Sequence, residues 1–440
     1  MNTSTGDLSV NAAASVAQSG RRGADIVPTL AVFVLPFGLL KEVSFIGQLY
    51  STELLFVILL PFLWLTGKSP SEKATKQTLM LLGVWLVALM VADIYRGTFI
   101  GDYLRGWAKL IFLAINFYVL SRLLTTEQRL VAWYIGWNIA FGIFAYMEND
   151  DWPNRWKFGL GPAALQAAAG IFVLLRLHRF RFFPSAMALI CLGFAAGSLF
   201  LNSRNAFLSF FLSGLLFGVC ATERSRRFMV ELSGRHAWTV LIGVVAFCYL
   251  AGQIYVNGAE AGVFGEEARE KYESQRVESL DPVLGAIVGG RGEFFSSTAA
   301  IGDSPIIGYG SWPRSAYYFN IYLEAVRKYG SPEAVKEVDK TIFYGEPLIP
   351  VHSLFFGAWV EAGIVGAIVW LVFVRRIFLA MRRALDLQSG IDVIVLILGV
   401  SLVWDVFFSP FGTERRLELA FAFLLLGFRV PPPEKRDAEV

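Results

Sequence analysis

The sequence predicts an all-α fold: a polytopic bundle of about twelve transmembrane helices with one large loop outside the membrane. Three observations predict it. The chain of 440 residues is 55% hydrophobic and only 17% charged, with a mean hydropathy of +0.54, which lies outside the usual range of soluble proteins. Apolar stretches long enough to span a membrane recur along it. Lys and Arg are concentrated in alternate connections between these stretches.

The chain divides into two tails, a membrane domain and one large loop. Residues 1–25 are polar and lack the apolar core of a cleavable signal, so we expect a disordered cytoplasmic tail. The membrane domain is expected at 26–256 and 352–429, and residues 430–440 form a second cytoplasmic tail. The expected helices cover residues 26–40, 48–66, 77–93, 103–121, 128–147, 158–175, 183–201, 205–220, 237–256, 353–374, 391–409 and 416–429.

The basic residues predict the orientation of this bundle. If the N-terminus is cytoplasmic, the inner segments carry twenty-one Lys and Arg, and the short outer connections carry seven. Cytoplasmic loops hold the excess of basic residues in most membrane proteins. We therefore expect a multi-pass membrane protein with both termini in the cytoplasm.

This topology places residues 257–351 outside, between helices nine and ten. The segment holds nine basic and fourteen acidic residues, so it is not a nucleic-acid surface. Gly265–Leu280 is polar and is expected to be helical. The tyrosines in 315–330 recur at roughly helical spacing, which predicts a helix that lies on the membrane interface or caps a cavity.

Several common functional classes have no support in the sequence. Cys191, Cys220 and Cys248 lie in apolar runs and are expected to be small buried residues, not disulfides or metal ligands. There is no CxxC or HExxH pattern and no Walker or GxGxxG loop. We expect no cofactor and no nucleic-acid partner.

One histidine stands apart from the other two. His178 and His236 lie in arginine-rich connections assigned to the inside, whereas His352 lies at the outer end of the tenth helix. An imidazole can accept a proton from a sugar hydroxyl near neutral pH. The structural alternative is a histidine that hydrogen-bonds the loop and caps the helix.

Two arginines of the outer face are candidate ligands for an anion. Arg204 lies in a connection so short that it must sit at the membrane face, where a guanidinium needs an anionic partner such as a lipid phosphate, a carboxylate or a substrate. Arg291 is flanked by glycines, which allow a ligand to approach the backbone closely or merely form a loop. The apolar, turn-rich stretch 303–312 follows and is expected to pack against the membrane domain near His352.

Further charged residues fall in the outer half of the expected bundle. Arg105 and Lys109 share one face of the fourth helix, and two cations there indicate a cavity or an anion site unless the side chains reach to the interface. Asp405 can pair with such a cation, and Glu361 is expected to be structural. For Arg415 and Arg416 at the edge of the last helix, contact with lipid headgroups is the simplest explanation. Asp150 and Asp151 form part of an acidic run that can hold a divalent metal, but a solvated loop is favoured.

Taken together, these residues suit one reaction. Guanidinium groups bind a diphosphate bidentately and stabilise it as a leaving group. A histidine can activate a hydroxyl nucleophile. This is the chemistry that moves a glycan from a lipid diphosphate to an acceptor.

Short motifs resemble the bacterial O-antigen ligase and Wzy-type polymerase superfamily. Ser203-Arg204 matches an arginine after a small polar residue at the start of a middle helix. Arg291 and the run from Ser304 to Gly310 match an arginine followed by a Pro-Ile-hydrophobic-Gly-x-Gly stretch. His352 matches a histidine that opens the next helix, and Glu361-Ala362-Gly363 matches a Glu-hydrophobic-Gly pattern. The resemblance covers roughly residues 100–380.

The resemblance implies a metal-independent glycosyltransferase of the GT-C type at the periplasmic face. It implies that His352 is the base and that Arg204 and Arg291 act in catalysis by binding the diphosphate; Arg105, Lys109 and Arg415 are further candidates for this binding. The donor would be an undecaprenyl-diphosphate oligosaccharide, and the partners would include membrane lipids and polysaccharide export proteins. The chain departs from the family pattern at Ser353, where Asn is frequent, and by a Tyr-rich insert at 313–350.

Three functions remain open at this point. A polymerase joins repeat units of exopolysaccharide or O-antigen, and the insert favours this reading modestly. A ligase passes the glycan to lipid A core. A flippase or other transporter of lipid-linked sugars would need cations through the whole depth of the membrane, whereas the candidate residues lie in its outer half.

Overall fold

The computed structural model describes residues 26–44, 48–66, 73–201, 203–235, 237–276, 280–289, 291–329 and 346–427. In this part of the chain the fold is all-α apart from one hairpin. Its strands are β1 (Glu42–Ser44) and β2 (Gln48–Tyr50), which pair antiparallel. Both predicted tails, His236 and residues 330–345 of the Tyr-rich insert lie outside the described residues.

The helices before the predicted loop follow the expected apolar stretches closely. They are α1 (Ile26–Leu40), α2 (Ser51–Thr66), α3 (Lys73–Arg96), α4 (Ile100–Leu123), α5 (Glu127–Glu148), α6 (Trp152–Arg155), α7 (Gly161–Leu174), α8 (Phe183–Phe200), α9 (Arg204–Cys220), α10 (Glu223–Arg235) and α11 (Ala237–Glu260). A π-helical turn, Trp156–Leu160, joins α6 to α7. A 3-10 turn, Leu177–Arg179, follows α7.

The predicted loop is itself helical over much of its described length. It holds α12 (Glu266–Gln275), α13 (Pro282–Gly289), α14 (Glu293–Asp303) and α15 (Ala316–Tyr329). The helices expected within Gly265–Leu280 and within 315–330 are therefore both present. Three long apolar helices complete the described chain: α16 (Leu354–Ala384), α17 (Gly390–Phe408) and α18 (Arg415–Gly427).

A helix is present at each of the twelve predicted positions. Six helices of the described residues, namely α3, α4, α5, α8, α16 and α17, are long and apolar enough to cross a membrane. A seventh span results if α9 and α10, which are bent by 112°, count as one. The protein is thus a helical, multi-pass membrane protein by length and composition.

Three of the other predicted positions hold shorter apolar helices. The apolar helices Ile26–Leu40, Ser51–Leu65 and Gly161–Leu174 have 14 or 15 residues. At 1.5 Å per residue they reach only about 22 Å, less than the roughly 30 Å of a hydrocarbon core. Hydropathy alone cannot distinguish such half-length helices from full spans.

Helices α5 and α17 form the centre of the bundle. In each of them, two thirds of the apolar membrane-spanning stretch is buried inside the protein, whereas in α3 and α8 only one third is buried. Trp85, Trp133 and Trp370 are fully buried, and Trp85 meets Trp370 edge to face at 5.8 Å. Large apolar side chains such as Ile94 and Leu189 remain exposed on α3 and α8, as expected of helices that face lipid.

Helix α16 is broken at Gly363, which has φ 63° and ψ −157°. The segment after α14 runs through this break. Tyr309 N–H donates to the Val360 carbonyl at 2.8 Å, Gly310 N–H donates to the Glu361 carbonyl at 2.9 Å, and Ile364 N–H donates to the Ile306 carbonyl at 3.2 Å. The segment thereby replaces the hydrogen bonds that the break removes.

A Cβ at Gly363 would lie 1.9 Å from the Ile306 carbonyl oxygen, so this close approach requires glycine. The two glycine motifs that carry the family resemblance therefore meet at one place. The expectation that residues 303–312 pack against the membrane domain is confirmed.

Candidate functional site

Local structure places His352 at the start of α16. Ser353 is the N-cap of this helix: its hydroxyl accepts a hydrogen bond from Phe356 N–H at 3.1 Å and donates one to the Val406 carbonyl at 2.9 Å. The cap fixes where the helix begins and ties it to α17. His352 is therefore held one residue before the cap, with its surface exposed to solvent.

Four charges from three other parts of the fold act on His352. Desolvation by the surrounding protein lowers the pKa of His352 below its ordinary value of 6.5, and the charge of Arg291 lowers it further. Arg415 and Lys157 act in the same direction, whereas Glu293 opposes them. The imidazole is therefore predominantly neutral at pH 7.

Arg291 lies next to His352 because α14 packs on α16. Phe294, in the first turn of α14, meets Phe356 edge to face at 5.6 Å. The Arg291 guanidinium lies 5.7 Å from the centre of the Phe408 ring at the end of α17. Desolvation lowers the pKa of Arg291, Glu293 raises it, and Arg204 lowers it again. Arg291 and Arg204 are thus close enough to repel each other.

Arg204 is the first residue of α9, and its guanidinium lies 5.4 Å from the centre of the Tyr255 ring. A cation at the N-terminus of a helix meets the positive end of the helix dipole, which is unfavourable. Arg415 likewise begins α18, and His352 and Arg291 stand two residues before α16 and α14. Each of these four basic residues thus lies at or within two residues of a helix N-terminus, and the helix dipoles add to the positive potential there, which an anion would lower.

Lys157 belongs to the same cluster, and the sequence argument missed it. It lies on the π-helical turn after α6, a conformation that is frequent at functional sites. Its neighbour Trp156 donates to the Ser198 hydroxyl at 3.0 Å and stacks on Phe194, which anchors the turn to α8. Desolvation lowers the pKa of Lys157, and the charges of Arg204 and Arg291 lower it further.

We call His352, Arg291, Arg204, Lys157 and Arg415 the basic cluster. A signal for Lys157 was present in the sequence, because it is one of only seven basic residues in the short outer connections. Without the fold, nothing distinguished it from its neighbour Arg155, which donates to the Asn149 carbonyl at 2.7 Å.

Arg415 enters the basic cluster already paired. Its guanidinium donates to both Asp405 oxygens at 3.0 and 3.2 Å and to Glu418 at 2.7 Å. The expected pairing of Asp405 with a cation is thus observed. Because Arg415 is paired with two carboxylates, it contributes mainly a fixed positive charge to the site. Its guanidinium has fewer donors left for bidentate hydrogen bonds to a ligand than an unpaired arginine has.

Arg416 does not contact lipid headgroups. It is buried and donates to both oxygens of the fully buried Glu53 at 2.8 and 2.6 Å. Asn116 donates to the same carboxylate at 2.9 Å. Because an unpaired buried charge is costly, this pair joins α18 to the start of α2.

Arg105 and Lys109 are not part of the basic cluster, contrary to the sequence expectation. The Lys109 ammonium forms an ion pair with Glu361 at 2.6 Å, more than two turns along α16 from His352. Arg105 lines a separate cavity with Asp102, Arg314 and Glu346. Their shared helix face was predicted correctly, but α16 supplies a carboxylate that occupies Lys109.

The glycine-rich segment 304–311 is fixed to α3 as well as to α16. Arg96 donates to the Gly308 carbonyl at 2.9 Å and to the Ser304 hydroxyl at 2.6 Å. The buried Asp93 accepts from Ser311 N–H at 2.6 Å and from its hydroxyl at 2.7 Å. This segment is therefore part of the support of α16.

The acidic run shows a structural role. Asp151 caps α6 by accepting hydrogen bonds from the backbone and side chain of Asn154, both at 2.7 Å. Among the described residues, no group of three or more His, Cys, Asp or Glu could hold a metal ion.

Comparisons with protein-family models, with curated proteins and with solved structures found no match. The resemblance to the O-antigen ligase and Wzy-type polymerase superfamily therefore rests on the short motifs alone. What the fold adds is where those motifs lie: Ser203-Arg204, Arg291 and His352 meet in the basic cluster, and the two glycine motifs form the break in α16.

Proposed function

We propose that this protein is a membrane glycosyltransferase that moves a glycan from an undecaprenyl-diphosphate carrier to the hydroxyl of an acceptor sugar. Polymerisation of exopolysaccharide or O-antigen repeat units at the periplasmic face of the bacterial inner membrane is the reaction we favour. One observation carries the proposal: an exposed histidine lies near Arg291, Arg415 and Lys157, and Arg204 in turn lies near Arg291 and Lys157.

The basic cluster suits a diphosphate leaving group. Cleavage of the bond between the anomeric carbon and the diphosphate oxygen leaves negative charge on that oxygen. Arg291, Arg204 and Lys157, together with the converging helix N-termini, would stabilise this charge as it develops. Guanidinium groups add bidentate hydrogen bonds that orient the diphosphate.

His352 suits the other half of the reaction. The acceptor hydroxyl forms the new bond to the anomeric carbon and gives its proton to the imidazole, which later releases it to water. Only a neutral imidazole can accept a proton, and the lowered pKa of His352 keeps it neutral at pH 7. Bound diphosphate would raise this pKa again, so the base becomes stronger when the donor is present.

Incubation of the purified protein with lipid-linked repeat units tests the proposal. Laddered longer chains identify a polymerase, and product that forms only when lipid A core is added identifies a ligase. Movement of the donor between leaflets without turnover would identify a flippase and overturn the proposal. Activity should persist in EDTA, because the cations of the basic cluster carry the charge of the leaving group.

His352→Ala should abolish transfer while the protein still inserts into the membrane. His178→Ala is the matched control, since His178 lies in the 3-10 turn after α7, and it should keep full activity. Equal activity of the two variants would remove His352 from the mechanism.

A further inference from the structure

A second basic site lies where the far part of α16 meets the N-terminal part of α3 and the C-terminus of α18. It is a cavity of about 560 Å³, large enough for a small ligand. Four arginines and one aspartate supply its charges: Arg375, Arg376, Arg382, Arg383 and Asp386. We call it the arginine cavity.

The arginines form two pairs on one face of α16. Arg375 and Arg382 are seven residues apart, which turns an α-helix almost exactly twice and separates them by about 10 Å along its axis. Arg376 and Arg383 have the same spacing. The cavity therefore offers two groups of positive charge, Arg375 with Arg376 and Arg382 with Arg383, and each group can bind a phosphate group.

The sequence of α16 places these arginines at its membrane-surface end. Between Leu354 and Val374 the only charged residue is Glu361, and the run of four arginines begins directly after Val374. In a helix that crosses a membrane, charged side chains at the end of the apolar part lie in the headgroup layer. The arginines therefore lie at the opposite end of the apolar part of α16 from His352.

Helix α10 supports this depth independently. It turns by 112° from α9, and it carries Arg224, Arg226 and Arg227 together with an exposed Phe228. A basic helix with an apolar side that turns away from a spanning helix is typical of the membrane interface. Val230 of this helix lines the cavity, and Arg226 lies 3.6 Å from Asp386. The cavity thus borders a surface helix.

Two of the four arginines are engaged by the protein. Arg376 donates to the Thr78 hydroxyl at 2.8 Å, and Arg383 donates to the Leu379 and Leu426 carbonyls at 3.1 and 3.4 Å. Within the described chain, Arg375 and Arg382 make no side-chain hydrogen bond or ion pair. Their donors remain for a ligand, while the other two stabilise the walls.

From this cavity, its charge and its depth we infer a binding site for the phosphate groups of an anionic ligand. The headgroup of an anionic phospholipid is the source that the depth favours, and basic pockets between membrane helices bind such headgroups. A soluble ligand with two phosphates has the same chemistry. The site is separate from the basic cluster and does not depend on the proposed glycan transfer.

The test measures lipid retained by the purified protein in detergent. Phosphatidylglycerol and phosphatidylcholine are added in equal amounts, and bound lipid is counted by native mass spectrometry. The double variant Arg375→Gln/Arg382→Gln removes the two arginines that hold no other part of the protein. The matched control is Arg179→Gln/Arg181→Gln, the same change of charge at exposed residues outside the cavity.

We expect the native protein and the control to retain phosphatidylglycerol over phosphatidylcholine, and the double variant to retain about tenfold less, since it loses the two guanidinium groups whose donors would bind the phosphate. If inorganic pyrophosphate binds with the same dependence on Arg375 and Arg382 while lipid retention does not, the source is soluble and the phosphate site stands. Retention of both ligands by a folded double variant overturns the inference.

Discussion

At the scale of the residue, the protonation state of His352 depends on charges that come from other elements. Arg291 lowers its pKa and Glu293 raises it. Both residues lie at the N-terminus of α14, yet they shift the pKa of His352 in opposite directions. If His352 is the base of the proposed glycan transfer, the acid side of the pH profile of kcat/KM follows this imidazole and reports the balance.

We expect the native enzyme to lose activity only below pH 6.5, because a lowered pKa keeps His352 unprotonated until the pH falls through it. Arg291→Gln should move this acid limb to higher pH, and Glu293→Gln should move it to lower pH. Both variants are measured across the pH range with the same donor. Limbs that do not move in opposite directions would show that His352 is not the titrating base.

A substitution of Arg204 tests the proposed binding of a diphosphate. Arg204→Lys keeps the charge but loses the planar fork, so the KM for the lipid-linked donor should rise about tenfold, equivalent to about 1.4 kcal/mol. Arg269→Lys, at an exposed ion pair with Glu273 on α12, is the control and should leave KM unchanged. An unchanged KM in Arg204→Lys would assign that residue to lipid contact.

At the scale of the element, α16 links the two sites and is supported at its break. The segment 304–311 fills the break at Gly363 and is itself held by Asp93 and Arg96. The N-terminal part of α16 sets the position of His352, whereas its far part carries the arginine cavity. The break therefore decides how the candidate site is aligned with the rest of the bundle.

Gly363→Ala should destabilise the protein by at least about 2 kcal/mol, because positive φ is strained for alanine and its Cβ would meet the Ile306 carbonyl oxygen at 1.9 Å. Gly357→Ala on the same helix is the control, since its Cβ would meet only Val351 at 3.6 Å. Thermal unfolding in detergent compares them. Equal unfolding temperatures of the two variants would mean that the segment 304–311 moves to accommodate the new methyl group without loss of stability.

At the scale of the whole molecule, the basic cluster and the arginine cavity lie near the two ends of α16. The distribution of Lys and Arg along the sequence predicts that these ends face opposite sides of the membrane. The large segment between α11 and α16 then lies on the side of His352.

Labelling of single cysteines checks this topology. With the native cysteines replaced, Glu270→Cys on α12 should react with a membrane-impermeant maleimide in intact cells, and Arg179→Cys after α7 only after lysis. Both positions are exposed, so a difference reports the side of the membrane. Reaction of both residues in intact cells would contradict the predicted orientation.

Much of this protein was determined locally by its sequence. Helices occur at all twelve predicted positions, because apolar runs and their polar ends are properties of neighbouring residues. The same is true of the boundary at which α16 begins, within one residue of the predicted start at residue 353, and of the start of α9, one residue before the predicted start at residue 205. Three of the twelve helices are shorter than a hydrocarbon core is thick, a difference that local composition does not show.

Only the tertiary structure decided which charges share the site. Lys109 is paired by Glu361, 252 residues away, and Arg416 by Glu53, 363 residues away. Lys157 joins His352 through a turn anchored on α8. Whether a cation is available or neutralised depends on which distant side chain lies within about 4 Å of it, and helix packing sets that distance, whereas local sequence does not.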